Sequence, residues 1–261
     1  MNRLVLKVFV IFIVACVAMW VFWNNSDAKR PSEIGSLGTS ENVQGSIYVW
    51  PKVLNKNGYT MTLNATRDLR IKKDETEIFY TTSVHAAALG DAFVVWVEKR
   101  EDSPQSVPHF EVWLFDLASK QSRVLLPNID NKQNPNSPPI AISGDQIALS
   151  TLANTLVLVN VKSGVSKTVP LPSEYRINSD SIHFSENIVI VAAYKSGTYR
   201  TSLLLGYNTI SGTFNVLYQI PEKREYYTLY NVQSKNGTLY WAEGAQFSKT
   251  RFFSLQFGNG R

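Results

Sequence analysis

Three histidines, His85, His109 and His183, and a single cysteine, Cys16, are all that the chain offers as nitrogen or sulfur metal ligands and as bases near neutral pH. The histidines are widely separated. None has a His-x-x-x-His partner or an acidic neighbour at ligand spacing, so a zinc-type site has no signal. Cys16 alone supports neither a disulfide framework nor a cysteine-based metal centre. No Gly-x-Ser-x-Gly elbow, phosphate loop or dinucleotide fingerprint occurs. Glycan cleavage would need carboxylates converging at about 5 Å or roughly 6.5–9.5 Å. Asp91, Asp145 and Glu186 do recur by position, but each stands in a short turn, where turn chemistry explains it. The expectation is a chain with no catalytic residue, no cofactor and no metal.

The elements that would position such groups are strands. In 261 residues, Tyr, Phe, Trp, Val, Thr and Ile recur in short runs separated by Asn, Gly, Ser, Pro and Asp. One unit repeats. Val112-Trp113-Leu114-Phe115-Asp116 is followed by a small turn and Ser122-Arg123-Val124-Leu125. Leu156-Val157-Leu158-Val159-Asn160 leads through Ser163-Gly164 to Ser166-Lys167-Thr168-Val169. Leu203-Leu204-Leu205-Gly206-Tyr207-Asn208 leads through Ser211-Gly212 to Phe214-Asn215-Val216-Leu217. Asp or Asn caps each turn and Gly accepts positive φ, so each unit predicts a hairpin. The marks Asp116, Asn160 and Asn208 are 44 and 48 residues apart, and further steps land on Lys72 and Gln256.

A second pair of strands precedes each hairpin. Gly90-Asp91, Gly144-Asp145, Glu186-Asn187 and Asn236-Gly237 each separate two apolar runs. Four strands per unit of about 40–50 residues is the pattern of a propeller blade. The stretches ISGDQIALS, GDAFVVWVE, EVWLFDLASKQSRVLLP and NGTLYWAEG resemble TolB-like and YWTD-type propeller repeats. The resemblance covers residues 84–257 well and 46–81 poorly. It implies a fold and no particular activity, and the Asp-Gly turns usual in such repeats are missing from several units. The fold class expected is all-β, a propeller of five blades of antiparallel strands, preceded by one N-terminal transmembrane helix. His85 and His183 fall on expected innermost strands, where they would line a channel or stand hydrogen-bonded in the interior. The last unit lacks its fourth strand. An open edge invites aggregation, so an N-terminal strand should close the ring, with Ser46-Ile47-Tyr48-Val49-Trp50 the best candidate.

Antiparallel order decides which loops share a face. Turns between first and second strands and between third and fourth lie on one side, and are short. Second-to-third and blade-to-blade connections lie on the other, and are long and varied. Those connections, over residues 99–109, 127–139, 171–180, 195–200, 220–227 and 244–249, carry Lys99, Arg100, His109, Tyr175, Arg176, Tyr199, Arg200, Lys223, Arg224, Tyr226, Tyr227 and Phe247. Aromatic and Arg side chains anchor protein interfaces, and aromatics also stack on sugar rings. This face is the expected partner-binding face.

Leu4 through Trp23 form an almost unbroken apolar run, long enough to cross a bilayer as a helix. Lys7 lies near its start, where it can snorkel, and Trp20 and Trp23 near its end. Arg3 and Lys7 precede the span, which puts the N-terminus in the cytoplasm and the main domain outside. Ile13-Val14-Ala15-Cys16 also resembles a lipobox, making a lipoprotein at Cys16 the alternative; cleavage of the segment is the third reading. The expected organisation is an anchor over 1–23, a flexible linker over 24–45 with room for a short strand within it, and the propeller over 46–261. The net charge of +5 is mild and no long basic block exists, which leaves nucleic acid without support as a partner. The function expected is a protein-binding or scaffold module at the cell envelope. A carbohydrate-binding or glycan-cleaving propeller is the alternative.

Overall fold

The computed structural model describes residues 31–34, 52–100, 109–129, 139–151, 154–195, 201–221, 228–235, 237–244 and 250–256. Strand β1 (Ser32–Ile34) comes first and joins the last sheet. The first blade then contains β2 (Lys52–Lys56), β3 (Tyr59–Leu63), β4 (Leu69–Lys73) and β5 (Thr76–Thr81). The second contains β6 (Val84–Leu89), β7 (Phe93–Arg100), β8 (His109–Asp116) and β9 (Gln121–Ile129). The third contains β10 (Ile140–Ser143), β11 (Gln146–Thr151), β12 (Thr155–Asn160) and β13 (Ser166–Pro170). The fourth contains β14 (Tyr175–Ser185), β15 (Ile188–Lys195), β16 (Thr201–Asn208) and β17 (Phe214–Gln219). The fifth combines β18 (Thr228–Lys235), β19 (Thr238–Gly244) and β20 (Arg251–Gln256) with β1. Every pairing is antiparallel, and the five sheets form a five-bladed propeller ring.

The repeated Asp or Asn has a defined task. Asp116 Oδ1 accepts from the backbone N–H groups of Ala118 (2.9 Å) and Ser119 (2.8 Å). Asn160 Oδ1 does the same for Lys162 and Ser163, and Asn208 Oδ1 for Ile210 and Ser211. Four residues on, the chain takes positive φ at Lys120 (58°), Gly164 (70°) and Gly212 (72°). The residue after the Asp or Asn then donates to the first turn of its own blade: Leu117 to Ala92, Val161 to Asp145, Thr209 to Asn187. The two short turns of a blade are thereby bonded together on one face, as strand order requires.

Core packing lies between blades rather than within them. Met61, Leu63, Leu69 and Ile71 of the first blade pack on Val84, Ala87, Val94, Trp96 and Phe115 of the second. Comparable clusters join the second blade to the third, the third to the fourth and the fourth to the fifth. The second strands of the second, third and fourth blades are therefore buried on both faces. β7 is buried from Phe93 to Glu98 and β15 from Val189 to Ala193, which is why both read as continuous apolar runs. The outermost β13 buries only Val169.

Ring closure differs from expectation. Ser32, Glu33 and Ile34, inside the stretch read as linker, pair with Ser254, Phe253 and Phe252 as the fourth strand of the last blade. Residues 46–50 lie outside the described residues. The reason for the correction is reach. A closing strand is outermost in its blade, whereas β2, beginning at Lys52, is innermost in the next. Crossing three strand spacings of about 4.8 Å takes more chain than the single residue between 50 and 52. The apolar run with Leu4, Lys7, Cys16, Trp20 and Trp23 also lies outside the described residues, and no described helix is long and apolar enough to cross a membrane.

Candidate functional site

The face opposite the short turns is built from the ends of second and fourth strands and the starts of third and first strands. Its local geometry recurs. In the first blade the turn between β3 and β4 puts Arg67 at positive φ (66°), and its carbonyl accepts from Val84 N–H at the head of β6 in the next blade. In the third blade Asn154, at φ 61°, occupies the matching turn. Its side chain donates to Tyr175 O (2.6 Å) and accepts from Ile177 N–H (3.0 Å), gripping the head of β14. Each clasp ties one blade to the first strand of its successor and sets the height of what that strand displays.

The candidate partner-binding residues separate into three groups. Lys99, Arg100 and His109 were expected on a loop but stand on strand ends, because β7 and β8 stay paired out to Lys99↔Phe110 and Arg100↔His109. Tyr175 and Arg176 likewise belong to β14, paired with Lys195 and Tyr194. An irregularity between Ile177 and Ile182 interrupts the strand, and the polar run Asn178-Ser179-Asp180-Ser181 hides its continuation. Tyr199, Arg200, Lys223, Arg224, Tyr226, Tyr227 and Phe247 lie outside the described residues.

Arg100 has local work. Its guanidinium contacts Glu98 Oε2 (3.0 Å) and donates through Nε to Glu111 Oε2 (2.9 Å), and its Cζ lies 5.7 Å from the Trp113 ring centre. Glu98 also accepts from Trp96 Nε1 (2.8 Å), and Glu111 from Trp113 Nε1 (3.0 Å). Two carboxylates facing one another across a strand pair are thus held by one cation and two indole N–H groups. The fifth blade repeats half of this arrangement, since Trp241 Nε1 donates to the fully buried Glu243 (3.2 Å). The Trp-x-Glu spacing, 96–98 and 241–243, puts both side chains on one face of a second strand. It is visible in the sequence and went unread there. Arg176 turns onto the carbonyls of Ser173 and Tyr175, both at 2.9 Å.

His85 and His183 occupy innermost strands, at opposite ends of them. His183, toward the short-turn end of β14, meets Ser234 Oγ of β18 at 2.9 Å, joining fourth and fifth blades. Burial pushes its pKa down to about 4, so the ring is neutral at pH 7. His85, at the opposite end of β6, has its Nε2 2.6 Å from Arg67 Nη1 and stands edge-on to Phe110. Burial, then the charges of Arg67 and Lys99, push it down to about 4 as well. The guanidinium is the donor, so Nε2 is an unprotonated acceptor. Among the described residues no group of three or more His, Cys, Asp or Glu is placed to hold a metal ion.

No protein-family model matches the chain, and no curated protein sequence does. Solved structures do. An oligogalacturonate lyase in complex with manganese is similar at TM-score 0.51 and 9% identity, over 80% of this chain and 76% of that one. A computationally designed protein, Ika8, is similar at TM-score 0.48 and 14% identity, over 78% of this chain and 57% of that one. An S. cerevisiae assembly of dbp5 with nup159 and gle1 is similar at TM-score 0.48 and 10% identity, over 80% and 57%. At these identities the likeness concerns the fold. This chain spans little more than half of the designed protein's length.

Proposed function

We propose that the propeller is a binding or scaffold module held on the outer side of a membrane by its N-terminal segment, and that it takes a protein partner on the face of long connections. A five-bladed ring suits such a task, because loops on a rigid scaffold hold their contact groups at fixed positions. The observation that carries the reading is the asymmetry between faces. One is closed by short turns bonded to one another. The other gathers Arg67, His85, Lys99, Arg100, His109, Tyr175 and Arg176 on clasped strand ends. The apolar run from Leu4 to Trp23, with Arg3 and Lys7 at its start, supports the tether and its orientation. The TolB-like or YWTD-type relationship rests on the repeat stretches.

A glycan-cleaving propeller is the rival. Glu98 and Glu111 are the carboxylates that stand opposite one another, and both are engaged with Arg100 and an indole N–H. That engagement favours a structural role for them. The deciding experiment is cross-linking of the full chain in membranes. Charge reversal at Arg176 on the long-connection face should reduce partner capture, whereas Ile210→Glu, in a turn of the opposite face and 77% exposed, should not. The reverse pattern would refute the face assignment. Release of reducing ends from oligosaccharides by the purified chain would favour the rival.

A further inference from the structure

We propose that the short-turn face of the propeller docks on a lipid bilayer, with the turn tips Val165 and Ile210 seated among the headgroups. The inference deepens the membrane reading proposed above and rests on it. That reading holds the chain at a membrane; this one assigns the side of the disc that meets the lipid.

Two independent observations converge. The first is the direction in which the chain leaves the ring. β20 starts at the long-connection end, where Arg251 pairs with Glu243, and finishes at the short-turn end, where Gln256 pairs with Thr238. β1 runs antiparallel to it, so Ser32 lies nearer the short-turn end than Ile34 does. Followed backward through Ser32, the chain heads for the short-turn face. Only residues 24–31 separate Ser32 from Trp23, the end of the apolar run. Fully extended, they span at most roughly 26–29 Å. With the opposite face down, the segment would have to reverse and pass back along β1. That uses roughly six residues and leaves about 7 Å. The headgroup layer is itself about 5–7 Å deep, which leaves no room for the long connections.

The second observation is what the short-turn face presents. Ile210 (77% exposed) and Val165 (66% exposed) are the two most exposed large apolar side chains among the described residues. Both stand in turns between third and fourth strands, on the fourth and third blades, and the fourth blade packs on the one that holds β1. The tips have fixed supports. Asn208 Oδ1 accepts from Ile210 N–H, and Val165 O accepts from Asn160 N–H, both at 2.9 Å. Lys167 Nζ donates to Tyr207 Oη at 3.4 Å, tying the two hairpins together. Aliphatic tips gain by leaving water, and a short tether keeps the lipid at an effective concentration of roughly millimolar, so even a weak contact is populated.

Charges around the tips balance. Lys162 pairs with Asp145 at 2.6 Å, Lys167 is turned onto Tyr207, and Glu186 is the acidic residue of the fourth blade's first turn. The contact is therefore apolar in kind and requires no anionic lipid.

The test is fluorescence quenching in the full chain reconstituted into phosphatidylcholine vesicles. Cys16 is the one cysteine of the chain, so Cys16→Ser clears the background for an environment-sensitive label placed at I210C, V165C or R176C. Lipids spin-labelled near the headgroup should quench the labels at 210 and 165 severalfold more than the label at 176 on the long-connection face. In the chain labelled at 210, Val165→Glu should lower quenching about twofold or more. Replacing about a third of the lipid with phosphatidylglycerol should leave the quenching within about twofold of its value. Equal quenching at all three sites, or stronger quenching at 176, would overturn the docking, as would a strict need for phosphatidylglycerol or a V165E chain quenched like its parent. Flotation of the same vesicles keeps the two readings apart. A chain that floats without differential quenching refutes the docking alone, whereas one that fails to float refutes the tether and the docking with it.

Discussion

Removing β1 should unfasten the last blade. Ser32, Glu33 and Ile34 pair with Ser254, Phe253 and Phe252, and no other described strand covers that edge of β20. Three residues in an antiparallel ladder make roughly two to four backbone hydrogen bonds, each contributing about 1 kcal/mol net. The loss is therefore about 3 kcal/mol, a large share of a typical domain's 5–15 kcal/mol. For a domain near 200 residues this corresponds to a fall in Tm of roughly 6–12 °C. The comparison is between a chain beginning at Lys29, which keeps β1, and one beginning at Gly35, which lacks it. Both omit the apolar run, so they can be compared in the same aqueous buffer by calorimetry and light scattering. The shorter chain should melt lower and associate through its open edge. A peptide spanning residues 29–36 should restore part of the loss in a concentration-dependent way. If both chains melt within a degree or two of each other and remain monomeric, the pairing of β1 contributes nothing to closure and the reasoning fails.

Three other outcomes follow from particular contacts. Lys120 occupies, at φ 58°, the position that Gly164 and Gly212 hold in sister turns; Lys120→Gly should raise stability by about 0.5–1 kcal/mol in urea denaturation, and Gly164→Lys should lower it by a similar amount. Glu98→Leu leaves the buried Trp96 indole N–H without its acceptor and should cost about 1–3 kcal/mol, while Glu98→Gln, which keeps an acceptor oxygen, should cost less; equal losses would contradict the hydrogen-bond argument. His183 has its pKa depressed from 6.5 to about 4, so the unfolded chain binds the extra proton first, and stability present above pH 6.5 should fall by about 3 kcal/mol as pH drops through 4. The His183→Gln variant should lose that part of the pH dependence in denaturation curves recorded from pH 7 to 4.

Much of the ring could be read from the chain because its turns carry chemistry. Asp116, Asn160 and Asn208 advertise the outer hairpins, and the strands before them are apolar on both faces, which marks burial between blades. The first blade was obscure for the opposite reason. Its strands, KVLNK and LRIKK among them, alternate core residues with Lys, Arg and Asn on a solvated side, although Asn57-Gly58 marks its first turn. β1 is too short to have any periodicity. Tyr175 and Arg176 looked like loop residues because a polar interruption separates them from the rest of β14. The Arg67–His85 contact was illegible: its partners belong to different blades, and only the closed arrangement brings them within 2.6 Å.

Because the apolar clusters lie in the seams, no blade owns a core. A sheet cut free would expose both faces of a second strand such as β7 or β15. Limited proteolysis should consequently yield either the whole ring or small fragments, without a surviving single sheet. The same sharing means that a seam substitution weakens two neighbours at once, so local damage would spread around the circle as one transition.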